Sequence, residues 1–292
     1  MASSVLVGVD GSQESLIALD WATEEAALRG SQLRLLCSSW VPALEPVFIR
    51  DAESWNGHTQ RVLDEAAERV RQTNPDVRVE STIGYDEPAA ATLIHVGREA
   101  DLIVVGLRGR GGFPGMKIGS VAYQVAAHAT TPVVVVGPEA RPVTKTPQIV
   151  VGVDDSDHGQ AALRAAFTEA RLRSARLRAV YAVRVPPDIL AVATLGGYDL
   201  ESMRADRERL THDTLKVVRD EFPDVQVETD IQWDDATHAL SRASTSAHLV
   251  VVGARGRHGF PLLALGSVAH GILHHAVSPV MVVHVPASDG ER

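Results

Sequence analysis

Five short apolar runs occur in this chain and then occur again in the same order, and that duplication limits the possible folds more than any other feature. SVLVGV (4–9), LRLLCS (33–38), VRVEST (77–82), DLIVVG (101–106) and PVVVV (132–136) are matched by QIVVGV (148–153), LRAVYA (177–182), VQVETD (225–230), HLVVVG (248–253) and PVMVV (279–283). The offset between copies is 144 residues at the first run and 147 at the fourth, so three extra residues have entered the second copy between them. A repeat of this length predicts two domains, each large enough for its own core. The polar, proline-containing segment 139–147 reads as the linker, leaving domains at 1–138 and 148–286.

Long amphipathic stretches separate the runs. ESLIALDWATEEAALRG and QAALRAAFTEARLRS follow the serines of DGS and DDS, which suit helix N-caps. Strands alternating with helices predict a parallel sheet, and runs such as LIVVG and LVVVG, apolar without in-out alternation, predict strands covered on both faces. The expected class is therefore α/β, with two tandem domains, each a five-stranded parallel doubly wound sheet with helices on both faces. In such sheets ligands gather beyond the carboxyl ends of the strands where the winding reverses.

Two features fall at that place in each copy. The first strand ends in an acid, Asp10 in VGVDGS and Asp154 in VGVDDS. The fourth strand runs into a loop spelled Gly-x2-Gly-x9-Gly-Ser: Gly106, Gly109, Gly119 and Ser120, repeated without a gap as Gly253, Gly256, Gly266 and Ser267. Glycine permits positive φ and lets backbone N–H groups approach an oxyanion without a Cβ in the way. The glycine-serine step then opens a helix, whose free N–H groups and dipole favour phosphate. A carboxylate this close must bond sugar hydroxyls, hold a cation, or stand off the phosphates, and a nucleotide supplies both partners.

Other readings fail on placement. A dinucleotide fingerprint belongs after the first strand, where VGVDGSQES lacks its three glycines, and PGMKIGS has a lysine without the adjacent hydroxyl of a P-loop. RGRGG (108–112) is a single copy between a strand and a helix, unlike an RNA-binding tail. A formal charge of -9 argues against a nucleic-acid or membrane-surface partner. No stretch reaches the roughly 20 apolar residues of a membrane span, so a cytoplasmic protein is expected. The single cysteine, Cys37, reads as a small core residue, and the histidines, including His274-His275, read as structural. Among the tryptophans only Trp40, just past the second strand, falls near a presumed base. Arg108, Arg110, Arg255 and Arg257 either close over phosphates or face solvent, and the apolar segment 185–199 is a lid or an interface.

The strand-Asp ending, the Gly-x2-Gly-x9-Gly-Ser loop and the strand opening at Pro132 or Pro279 together resemble the universal stress protein family in its tandem, ATP-binding form. The resemblance implies Rossmann-like, adenine nucleotide alpha hydrolase-like domains with ATP across the ends of strands one and four. In the first copy it assigns Gly8, Val9, Asp10, Ser38, Gly106, Arg108, Gly109, Gly119, Ser120 and Val121 to the nucleotide. In the second it assigns Gly152, Val153, Asp154, Ala182, Gly253, Arg255, Gly256, Gly266, Ser267 and Val268. Ser38 and Ala182 mark the adenine end; Asp10 and Asp154 serve the ribose and a Mg2+ or Mn2+ carried with the nucleotide. Departures are Leu107 and Ala254, where a small polar residue is common, and His258 in place of the glycine at Gly111. The resemblance also implies pairing of the two domains through their final strands, and a homodimer. A regulatory nucleotide binder in the stress response with little or no hydrolysis is the leading expectation. A slow metal-dependent ATPase or nucleotidyl transferase, and a scaffold for another anion, are the alternatives.

Overall fold

A computed structural model describes residues 3–40, 52–111, 115–140, 147–184, 200–257 and 263–285. The segment 185–199 and His258 lie outside the described residues. The chain divides into two compact units, Met1–Ala140 and Arg141–Arg292.

In the first unit, β1 (Ser4–Gly8), α1 (Gln13–Arg29), β2 (Gln32–Ser38), α2 (Ala52–Thr73), β3 (Val79–Gly84), α3 (Ala89–Gly97), β4 (Leu102–Gly106), α4 (Ser120–His128) and β5 (Val133–Val136) follow one another. The strands are parallel in the order β3-β2-β1-β4-β5. The chain thus winds outward from β1 to β3 and then crosses back to β4 on the other side of β1. Right-handed crossovers put α1 and α2 on one face and α3 and α4 on the other, and the helices pack against each other in those two pairs. Val5, Leu6, Val7, Ile103 and Val104 are fully buried, as strands covered on both faces must be.

The second unit repeats the plan with β6 (Gln148–Gly152), α5 (Asp157–Leu172), β7 (Arg176–Ala182), α6 (Leu200–Arg219), β8 (Val227–Gln232), α7 (Ala236–Ser244), β9 (Leu249–Gly253), α8 (Ser267–His275) and β10 (Val280–Val283). Its order is β8-β7-β6-β9-β10, again parallel. The expected class, tandem α/β units with doubly wound parallel sheets, is what is found. The predicted capping serines are also in place: Ser12 accepts the N–H of Ser15 at 3.2 Å and Ser156 that of Gly159 at 3.0 Å.

Two expectations need adjusting. β3 and β8 each begin two residues later than the apolar pattern indicated. Val77 and Val225 are instead spent on turns, their N–H groups donating to Asn74 and Phe222 carbonyls. The insertion is also more than three residues. Leu33 pairs with Val79 while Leu177 pairs with Val227, so the second copy has four extra residues between these partners. It then loses one in the next turn, where four residues separate Gly84 from Ala89 at the start of α3 but three separate Gln232 from Ala236 at the start of α7, for a net gain of three.

The two copies also end their first helix differently. α1 stops at Gly30, φ +61°, and Ser31 N–H returns to the Ala26 carbonyl at 2.9 Å. In the second copy Ser174 takes the same left-handed conformation at φ 48° with a Cβ present, and Ala175 N–H returns to Ala170 at 2.8 Å. A non-glycine residue here carries a steric cost of about 1–2 kcal/mol, partly offset by the lower entropy of its unfolded chain. Ser174→Gly is therefore expected to stabilise the second unit by about 0.5–1 kcal/mol, measured as a higher urea midpoint. A lower midpoint would mean that the serine is not strained.

Candidate functional site

Each unit has a cavity of about 370 Å³ at the carboxyl ends of its central strands, where the winding reverses. The first is walled by Gly8, Val9 and Asp10 after β1, by Leu36 and Ser38 of β2, and by the loop from Gly106 into α4 as far as Ala122. The second is walled by Gly152, Val153, Asp154, Val180, Tyr181, Ala182 and the loop from Gly253 to Ala269. All the candidate residues of each copy therefore meet in one cavity.

In each cavity the helix start lies open. Gly119 and Gly266 are the N-caps of α4 and α8, and neither helix start carries a side-chain cap, in contrast to α1, α5 and α7. Ser120, Val121 and Ala122, and likewise Ser267, Val268 and Ala269, line the cavity at this first turn. Uncapped N–H groups and the helix dipole suit this part of the wall to an anion.

Much of the remaining wall is apolar. Leu36, Ala89, Leu93, Met116 and Ile118 form it in the first unit, and Val180, Ala236, Leu240 and Leu263 in the second. Sequence reasoning did not name the residues from α3, α7 and the loop. The signal was present: Ala89, Leu93 and Met116 recur as Ala236, Leu240 and Leu263 at the offset of 147 that the glycine loops share. Trp40, expected near a base, is not in the wall; it is partly exposed and donates its backbone N–H to the Ser38 hydroxyl. Cys37 packs into the core behind the site. Burial and the nearby Asp10 charge push its thiol up to about 11, which leaves it unreactive.

The acid does something that the sequence did not disclose. One oxygen of Asp10 accepts the N–H of Ser12 at 2.9 Å, and the other accepts the N–H of Arg110, in the glycine loop, at 2.9 Å. Burial raises the Asp10 pKa, but hydrogen bonds from Ser12, Arg110 and Ser15 outweigh it and hold the carboxyl below its ordinary value. The side chain is a clasp between the end of β1 and the loop after β4. Asp154 accepts the N–H of Ser156 at 3.1 Å and its hydroxyl at 2.6 Å.

This clasp also changes the reason for the glycines. None of Gly106, Gly109, Gly119, Gly253, Gly256 and Gly266 has positive φ. They are small because other atoms are close. A Cβ on Gly109 would lie 2.4 Å from an Asp10 oxygen, and one on Gly256 would lie 2.6 Å from an Asp154 oxygen. At Gly106 it would meet the Glu14 carbonyl oxygen at 2.9 Å, and at Gly253 the His158 backbone at 2.8 Å. The loop is closed on itself by Gly119 N–H donating to Leu107 at 2.8 Å, and by Gly266 N–H donating to Ala254 at 2.7 Å.

The loop arginines all have partners. Arg108 lies 3.8 Å from Glu14 and Arg110 contacts His58. Arg255 donates to His158 at 3.1 Å, and Arg257 lies 2.9 Å from Asp155. Burial and the Arg255 charge lower the pKa of His158. Among the described residues no three carboxylate, histidine or cysteine side chains are grouped to hold a metal, and no helix is long and apolar enough to cross a membrane.

The family model for the universal stress protein family matches residues 1–137 and again residues 146–284. Universal stress protein Rv2005c of Mycobacterium tuberculosis is 30% identical over 294 residues, which span 95% of this chain and 96% of that protein. Universal stress protein Rv2623 of the same organism is 30% identical over 289 residues, spanning 95% of each chain. Among solved structures, a universal stress protein from Archaeoglobus fulgidus shares the fold, with a TM-score of 0.66 at 16% identity over 96% of both chains. With both halves matched in turn and relatives aligned along nearly their whole length, the chain belongs to the universal stress protein family, as a tandem of two such units.

Proposed function

We propose that each unit binds one ATP, and that the protein is a regulatory nucleotide binder of the stress response with little or no hydrolysis. The observation that carries this reading is the composition of each cavity: an uncapped helix start, an apolar wall and an acid line the same space. A nucleotide presents phosphates, ribose hydroxyls and a base to match them, and the same set of groups stands in both units.

The metal is expected to arrive with the nucleotide. Among the described lining residues each cavity has one carboxylate, Asp10 or Asp154. Mg2+ keeps several waters and is commonly held by one or two carboxylates plus substrate phosphates, so a single acid suits an ion carried by ATP better than a resident one. Asp10 retains free lone pairs beyond its two N–H bonds for the ion or a ribose hydroxyl.

Slow turnover follows from the same residues. Backbone N–H groups bind ground state and transition state alike, which does not accelerate hydrolysis. Among the described lining residues Asp10 is the first cavity's only carboxylate. Its basicity is reduced by the bonds that tie it to the loop, so it is a poor base for an attacking water.

Titration calorimetry of the full chain with Mg-ATP is expected to give two sites per chain; no binding, or one site, would count against the reading. Hydrolysis in a single-turnover assay is expected far below the roughly 1–100 per second of dedicated phosphoryl-transfer enzymes. Metal-dependent turnover within seconds, lost on Asp10→Asn plus Asp154→Asn, would favour the ATPase alternative.

The clasp predicts an energetic coupling. Gly109→Ala is expected to weaken the first site and to destabilise the first unit by about 1–3 kcal/mol through strain against Asp10. That stability cost should shrink by about 1 kcal/mol or more when Asp10→Ala is added, because the clashing oxygen is gone. Urea unfolding of the two single variants and the double variant measures the coupling. Strict additivity would mean that the glycine serves the ligand and not the carboxylate.

A further inference from the structure

The two loops carry the same pair of arginines, but their partners are exchanged. In the first unit the inner residue, Arg108, is beside the carboxylate of Glu14, and the outer one, Arg110, rests on the imidazole of His58. In the second unit the inner residue, Arg255, rests on the imidazole of His158, and the outer one, Arg257, pairs with the carboxylate of Asp155. The exchange is written in the chain: at the offset of 144, Glu14 becomes His158 and Gly11 becomes Asp155. Each cavity therefore has one arginine neutralised by an acid and one whose charge is not.

We propose that the arginine resting on an imidazole is the one that closes on the nucleotide phosphates, which assigns Arg110 to the first site and Arg255 to the second. This rests on the nucleotide reading of the cavities. An arginine has only donors, so the ring nitrogen facing it must be an unprotonated acceptor. Handing that bond over to a phosphate leaves a neutral ring behind. Taking an arginine from a carboxylate instead leaves an unpaired anion beside the incoming phosphates, which repels them. All four arginines border their cavities, so reach does not separate them; charge balance does.

A further contact agrees. Arg257 is also held by a hydrogen bond to Tyr181, which fixes it a second time. His58 and His158 are positioning residues in this scheme: they hold the arginine at the cavity without competing for it.

The test uses the full chain and four single variants, Arg108→Met, Arg110→Met, Arg255→Met and Arg257→Met, which keep most of the stem but remove the charge. The quantity compared is the ratio of Mg-ATP affinity to adenosine affinity at each site, which a general loosening of a unit would not move. Arg110→Met and Arg255→Met are each expected to lower that ratio roughly tenfold or more at one of the two sites. The loss in Arg108→Met and Arg257→Met should be at least several-fold smaller. A larger loss at Arg108 or Arg257, or equal losses within a loop, overturns the assignment while leaving the nucleotide reading intact. A parent chain that binds neither ATP nor adenosine overturns both.

Discussion

The arrangement at the strand ends depends on one carboxylate held between two backbone segments. In the first unit, Asp10 ties the turn after β1 to the loop after β4 by accepting one N–H from each. These strands are neighbours in the sheet, with Val5, Leu6 and Val7 in register with Leu102, Ile103 and Val104, yet the loop that follows β4 leaves the sheet. Sheet hydrogen bonding cannot set the position of such a loop, and a charged acceptor can. Once the loop is drawn in, Gly119 folds back on Leu107 and the start of α4 is delivered to the cavity without a side-chain cap. The open helix start is thus a consequence of how the loop is anchored as much as of the helix itself.

Much of this was legible in the residues. The strands were found because their runs are apolar on both faces and because each had a second copy to check it. The acid and the glycine loop were found because their spacing survived where the rest of the chain had diverged. The start of β3 was misread because edge strands are half exposed, so Val77 in a turn and Val79 in the strand look alike to a pattern of apolar residues. The purpose of the glycines was also hidden. A glycine chosen for positive φ and one chosen for close contact are the same letter, and only the 2.4 Å gap to Asp10 tells them apart. The walls from α3 and α7 were overlooked for a further reason: Ala89 and Leu93 are ordinary apolar residues on an amphipathic helix, and nothing local separates those that face a cavity from those that face a core.

The duplication makes the molecule its own comparison. Where both copies agree, as in the acid, the three glycines and the uncapped helix start, the shared geometry is what the site requires. They differ at Ser38 against Ala182, Cys37 against Tyr181 and Met116 against Leu263, and in the partners of the loop arginines. The two cavities are thus alike in volume and unlike in part of their lining.

The negative φ of the loop glycines has a practical side. Replacing glycine by alanine wherever the backbone is compatible is a standard route to a stiffer protein, and compatibility is commonly judged from dihedral angles alone. By that measure Gly106 and Gly109 would both pass, since neither has positive φ. Space rejects them: a methyl at Gly106 would strike the backbone of α1, and one at Gly109 the carboxylate that anchors the loop. A thermostabilised version designed on backbone angles would therefore be stiffened at a place where the chain has no room for it.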